Sequence, residues 1–287
     1  MGSPQSSRIS KKAAEDNDDT DRGPLRGALR RLGLWSGEGG PGPRAQTPIP
    51  SARTVRFESN AERHHLGFMQ RYLRPGDVVL DIGAHSGERS LAAARLVGPP
   101  GRVDAFEPSP TLRTTLLDRI ADAGLKSVVV VHALMAGATA GLGRFVDGTS
   151  KSGRRRPPLP GELANRVLGI EQVRLDKFIG KRRYVLMCLD IAGGELNALR
   201  GTETQLIQAN PPALLVAFDP ALSDFGATPE IMADWLDDRG YELAVYDADR
   251  NMIDYPETPW RQRRIVLAIA RTARNFVLKR LADTSTR

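Results

Sequence analysis

The 287 residues suffice for one large α/β domain or two small ones, and a hydrophobic content of 40% supports a substantial core. A single cysteine, Cys188, excludes a disulfide framework or a cysteine-rich zinc site, and no apolar run approaches the roughly 18 residues of a membrane helix. The net charge of +7 is dispersed outside Lys151, Arg154-Arg155-Arg156 and Lys181-Arg182-Arg183, with no interleaved aromatics. That pattern argues against nucleic acid as a direct substrate and suits a solvated surface, or a rim that attracts an acidic small molecule. With no signal-peptide core at the N-terminus either, the expectation is a cytoplasmic protein without a transmembrane segment.

In chain order, residues 1–52 read as a disordered tail of Ser, Gly, Pro and mixed charge. Within it Leu25, Leu29, Leu32 and Trp35 fall at helical spacing with Arg26, Arg30 and Arg31 between them. This predicts a short basic amphipathic helix that touches a membrane surface or a partner weakly. A single folded domain is expected over 53–280, with a tail at 281–287. A leading helix over 61–73 runs through Pro75-Gly76 into the first strand. Strands are predicted at 78–82, 102–106, 127–132, 184–191, 213–219, 241–247 and 264–270, and helices at 87–97, 110–123, 194–209 and 228–239. The runs at 127–132 and 184–191 are continuously apolar, as in strands covered on both faces. Strand–helix alternation predicts an α/β fold with a mostly parallel sheet of seven strands and helices on both faces. The last two strands lack a helix between them and are expected to pair antiparallel. The polar stretch 148–166 reads as a loop inserted before the fourth long strand, the usual place for a lid or binding loop.

The chemistry concentrates at the first two strand ends. Asp81 to Gly87 has the form Asp-x-Gly-x-x-x-Gly, and Gly83 and Gly87 permit unusual backbone angles and close approach. The middle glycine of a dinucleotide fingerprint is missing, which counts against NAD. Glu107 follows one helix and one strand later, ending Arg102 to Glu107 before Pro108. An acid there can accept from both hydroxyls of an adenosine ribose, so loop and acid together point to a nucleoside cofactor.

These blocks resemble the FkbM family of S-adenosyl-L-methionine-dependent methyltransferases of Rossmann-like class I fold. The matching stretches are Leu80 to Gly87, Val103 to Pro110, Val173 to Phe178 and Leu189 to Gly201, in that order, within about residues 54–280. The resemblance implies that Asp81, Gly83, Ala84, His85 and Gly87 cradle the methionine part of S-adenosyl-L-methionine. It implies that Glu107, with Pro108 and Ser109, holds the ribose and that Ala133, Leu134 and Met135 lie near the adenine. Asp190 would lie beside the transferred methyl. Four positions depart from the family: His85 stands for the usual asparagine, Cys188 for lysine, and Ala192 and Ala217 for glutamates. The implied activity is O-methylation of a hydroxyl on a small molecule, sugar or glycan. Asp190 is the first candidate for base or acceptor-orienting group, and His85 is the second. Substrate choice is expected in the leading helix and the 148–166 loop.

His132 reads as a satisfied core histidine, Glu195 as an acid favoured by a helix N-terminus, and His64-His65 as helix residues rather than a metal site. Two other readings stay open. One is a catalytically degenerate S-adenosyl-L-methionine-binding regulatory module, prompted by Cys188 and Ala192. The other is a nucleotide- or nucleic-acid-binding Rossmann-like protein, prompted by the basic charge.

Overall fold

Apolar strands of four to seven residues alternate with amphipathic helices, and a computed structural model arranges them around one central sheet. The structure describes residues 60–146 and 167–283, all within the unit Arg56–Arg287. The tail helix and the 148–166 loop lie outside the described residues. The elements run α1 (Asn60–Tyr72), β1 (Val78–Ile82), α2 (Glu88–Val97), β2 (Arg102–Phe106), α3 (Pro110–Asp122), β3 (Val129–His132), β4 (Met135–Ala136) and β5 (Gly141–Val146). After the connection they continue with β6 (Val167–Val173), α4 (Leu175–Ile179), β7 (Leu186–Leu189), α5 (Glu195–Arg200), α6 (Glu203–Ile207) and β8 (Ala213–Ala217). The last group is α7 (Pro229–Asp238), β9 (Tyr241–Asp247), β10 (Met252–Asp254), β11 (Ile265–Ala270) and α8 (Arg274–Ala282).

The large sheet has the order β10-β9-β11-β8-β7-β1-β2-β3. Strands β3, β2, β1, β7 and β8 are mutually parallel, and β11 enters antiparallel between β8 and β9. The expected terminal pair is therefore present, but the sheet has eight strands because β10 adds a short edge beyond β9. A second sheet, β4-β6-β5, was not foreseen, and its β5–β6 hairpin brackets the inserted stretch. The predicted helix 194–209 is two helices. At Gly201 the backbone passes Gly137 so closely that a Cβ there would lie 2.0 Å from the Gly137 carbonyl oxygen. Helix α8 was also missed; its register is set by packing on α1 rather than by a strong apolar stripe of its own.

The two sheet faces have different cores. Leu80, Ile82, Phe106, Met187, Leu189, Leu214 and Val216 share the core cluster with residues of α4 to α7. On the other face α1 buries Phe68, Met69 and Tyr72 completely. Phe68 stacks on Tyr72 with centroids 5.0 Å apart and meets Tyr246 of β9 edge-on at 5.5 Å. Each such side chain contributes about 1.5–3 kcal/mol by burial, which fixes α1 across the C-terminal half of the sheet. Parallel strand ends, the turns that follow them and the start of α1 thus share one rim, where open α/β sheets place ligands.

Candidate active site

At the end of β1 the chain turns sharply under a tight constraint. Gly83 has φ +84°, and a Cβ on it would lie 2.1 Å from the carbonyl oxygen of Asp190. Its glycine is required because the β1 and β7 turns touch each other. Gly87, at φ +97°, is required by packing, since a Cβ would meet Leu116 of α3 at 2.5 Å and Leu91 at 2.9 Å. The close approach expected toward a ligand is thus, at both glycines, an approach to protein. The amides of Gly83 and Ala84 both donate to the Phe106 carbonyl, at 3.0 and 2.9 Å, binding the turn to the end of β2.

Glu107 is buried there, and backbone holds it: Oε2 accepts from the His85 amide and Oε1 from the Ser109 amide, both at 2.8 Å. These two bonds aim the carboxylate. His85 sits at φ +55°, a left-handed conformation in which histidine and asparagine are enriched among non-glycine residues. Histidine is thus compatible with the conformation this turn requires. Its Nδ1 lies 3.0 Å from Ser86 Oγ. Ser109 is fully buried and caps α3 by accepting from the Leu112 amide at 3.2 Å.

A cleft opens beside these turns, lined among others by Gly83, Pro108, Leu134, Phe145, Ile191 and Asn197. Of the residues expected at the cofactor, Gly83, Pro108, Leu134 and Met135 meet in it. Ala133 is exposed next to Leu134. Asp81 does not line it: the carboxylate is buried toward α2, accepting from Ser90 Oγ at 2.6 Å and pairing with Arg89 at 3.4 Å. Asp81 therefore orders the turn from behind. Phe145 enters the cleft from the mostly exposed strand β5 and was missed, because one buried residue in an exposed strand leaves no period to detect.

The turn after β7 carries the largest surprise. Asp190 is bound by two arginines: Arg89 at 3.1 Å, and Arg264 through NH1 at 3.0 Å and NH2 at 2.6 Å. Burial alone would raise its pKa, but Arg89 and Arg264 outweigh burial and hold the carboxyl well below the usual carboxylate range. A group this firmly ionised is a weak base, so the two arginines favour the orienting role over the base role for Asp190. Arg89 also donates to the Gly83 carbonyl at 3.1 Å, so one guanidinium ties Asp81, Gly83 and Asp190 together. Cys188 faces Asp81 across the β1–β7 register. The Arg89 guanidinium lies against the same Asp81 carboxylate.

Glu195 does more than sit at a helix start. It is completely buried, and its oxygens accept from the Ile191 and Gly193 amides at 2.8 and 2.9 Å, closing the turn in which Ala192 stands at φ +54°. Burial pushes its pKa up to about 7, opposed by those amides and assisted by Asp190. His132 is partly buried, with Nε2 2.8 Å from Asp104 and its ring against Phe106 and Phe178. Ala217 is fully buried at the end of β8.

A parallel sheet with one antiparallel strand inserted near its end, a glycine turn after the first strand and a backbone-held acid after the second define a class I methyltransferase. The methyltransferase FkbM domain family matches residues 81–243, more than half of the chain, and the chain belongs to that family. It is an S-adenosyl-L-methionine-dependent methyltransferase. The donor set agrees with that cofactor, since the acid is aimed by backbone beside an apolar cleft with Gln172 and Asn197 as its polar points.

A stretch of 58 residues, 20% of this chain, is 43% identical to protein-L-isoaspartate O-methyltransferase of Aeropyrum pernix, and spans only 22% of that protein. Among solved structures, the O-methyltransferase TomG of Streptomyces achromogenes is 14% identical with a TM-score of 0.42, covering 74% of this chain and 80% of its own. Aeropyrum pernix fibrillarin with natively bound S-adenosyl-L-methionine is 15% identical with a TM-score of 0.40, covering 77% and 85%. Among the described residues, no helix is long and apolar enough to cross a membrane.

Proposed function

We propose that this methyltransferase acts on oxygen, at a hydroxyl of a small molecule or sugar. The observation that carries the reading is Asp190, an ionised and partly exposed carboxylate fixed beside Gly83 by Arg89 and Arg264. The identity shared with an O-methyltransferase over 58 residues supports the same acceptor atom. In this reading Glu107 holds the ribose hydroxyls and Gly83 to Gly87 line the methionine part. Pro108, Ala133 and Leu134 border the adenine. The bound cofactor supplies a sulfonium methyl for in-line displacement.

The protein's task is then placement and proton removal. Asp190 accepts a hydrogen bond from a second polar hydrogen of the acceptor and so aims the reacting hydroxyl; such positioning contributes up to roughly 7–11 kcal/mol. The proton leaves to His85, whose imidazole is exposed at the neighbouring turn; a general base contributes roughly 10²–10⁴-fold. The acceptor enters over α1 and the turns after β8 and β9.

Calorimetric titration with S-adenosylhomocysteine, on the wild type and on Glu107→Ala, tests the cofactor placement. Saturable binding that Glu107→Ala weakens about tenfold or more (about 1.4 kcal/mol) is the expected result. Equal affinity in the two proteins would remove Glu107 from the site. Mass-spectrometric screening of hydroxylated acceptors for a gain of one methyl on oxygen tests the acceptor atom, and methylation on nitrogen or carbon would overturn it.

A further inference from the structure

A second recess opens on the α1 face, beside Asp190 but separate from the cofactor cleft. It is lined by His64, His65, Leu215, Tyr246, Arg263, Arg264, Ile265 and Leu267. Three aliphatic side chains form its floor, and its polar walls are two histidines, two arginines and a tyrosine; no carboxylate lines it. The carboxylates that neutralise Arg264 lie outside the lining. Arg264 reaches out of the recess to Asp190 at 2.6 Å and Asp219 at 3.4 Å, so it joins the recess to the turn after β7.

The hydrogen bonding inside is unbalanced toward donors. His64 Nδ1 lies 3.2 Å from the Ala248 amide and Nε2 lies 3.1 Å from an Arg263 guanidinium nitrogen. A neutral imidazole has one N–H and one acceptor nitrogen, so one of these two contacts sets donor against donor in either tautomer. Protonating the ring would make both contacts donor against donor. Arg263 Nε, meanwhile, is buried with no hydrogen-bond partner. A buried unsatisfied donor is destabilising, and both defects are relieved by one kind of group, an oxygen acceptor carrying negative charge.

We infer that this recess is the acceptor's anchoring subsite and takes a carboxylate, making the substrate a small hydroxy acid or sugar acid. The inference rests on the methyltransferase reading and names its substrate class. Arg263 grips the carboxylate, with His64 and Arg264 beside it. The aliphatic floor admits a compact group, and the remainder of the acceptor extends along Arg264 toward Asp190. Arg263 is thereby a specificity residue that selects an acid over its neutral counterpart.

The chain has four histidines, so imidazole NMR of histidine-labelled protein resolves them, with His64→Gln assigning the signal. The probes are glycolate, the smallest hydroxy acid, and ethylene glycol, its neutral counterpart. Glycolate is expected to shift the His64 signal saturably and ethylene glycol to leave it in place, with Arg263→Gln weakening the response about tenfold or more. Arg263→Lys keeps the charge but lacks Nε and the planar fork, and is expected to weaken it as well. A null titration with glycolate, an equal response to both probes, or wild-type titration by both variants would overturn the inference. S-adenosylhomocysteine calorimetry on the same wild-type sample separates the two readings. Cofactor binding without a glycolate response sinks only the subsite, and a glycolate response without cofactor binding sinks only the cofactor placement.

Discussion

The two halves of the rim hold their charges by different means. On the proposed cofactor side, Glu107 and Glu195 are fixed by backbone amides a few residues away or one βα unit apart: Glu107 by His85 and Ser109, Glu195 by Ile191 and Gly193. On the proposed acceptor side, Asp190 is fixed by arginines from distant segments, Arg89 and Arg264. Backbone amides impose geometry and carry no net charge, so they suit a cofactor that never changes. Arginine side chains bring charge and reach, and one substitution can alter them without disturbing the fold. In the proposed reading the invariant cofactor is held by main chain and the variable acceptor by side chains.

The strongest way to break the backbone-built half is Gly83→Ala. The added Cβ would lie 2.1 Å from the Asp190 carbonyl oxygen, and the turn would hold alanine at φ +84°. Overpacking typically costs about 1–3 kcal/mol and a left-handed alanine about 1–2 more. Urea unfolding should show a loss of roughly 3 kcal/mol or more, and a loss below about 1 kcal/mol would mean the two turns separate easily. On the side-chain half, Asp190→Asn leaves Arg89 and Arg264 facing each other without their shared anion. Breaking a fully buried pair costs about 3–5 kcal/mol; with Asp190 and Arg264 partly exposed, about 2 kcal/mol is expected by the same measurement. Unchanged stability would show that solvent replaces the carboxylate.

The same contrast explains what could be read from the sequence. The glycine turn, Glu107 and the alternating elements are legible because their partners are local: strand periods, a turn glycine, an acid closing the next strand. The boundaries of β1, β2 and β9 follow directly from their apolar patterns. The arginine network is not legible. Arg89 looks like a solvated helix residue and Arg263-Arg264 like a basic step before a strand, until the fold brings them to positions 101 residues away at Asp190 and 199 away at His64. Asp190 is legible as a candidate, but nothing near it in sequence reveals the two guanidinium partners that make it a poor base. Helix α8 and the β4-β6-β5 sheet were missed for a related reason, since tertiary packing rather than periodicity stabilises them.

Glu195 sharpens the backbone-held side through pH. Its folded-state pKa is raised to about 7 from an ordinary value of 4.5, chiefly by burial. Between those values the folded protein binds more proton than the unfolded chain, so this group's contribution is fully present below about pH 4.5 and is lost as pH rises through about 7. The slope is at most about 1.4 kcal/mol per pH unit. Glu195→Gln should remove that slope from the urea-unfolding profile. It should also lower stability at acid pH, because the amide NH₂ would face one of the two backbone N–H groups. A wild-type profile that rises between pH 5 and 7, with a parallel profile for the variant, would show that other groups dominate and that amide bonding outweighs burial at Glu195.

The smallest structural effect is expected from His85→Asn, and it separates the two halves most cleanly. Asparagine tolerates the left-handed conformation at φ +55°, and the amide that Glu107 accepts belongs to the backbone, so both are retained. Stability should stay within about 0.5 kcal/mol, and affinity for S-adenosylhomocysteine should change by no more than about twofold (about 0.4 kcal/mol). If His85 takes the hydroxyl proton, turnover with an acceptor found by screening falls roughly 10²–10⁴-fold while cofactor affinity stands. A matched fall in cofactor affinity would instead make the imidazole a cofactor ligand, and the proton would then have to leave by way of solvent.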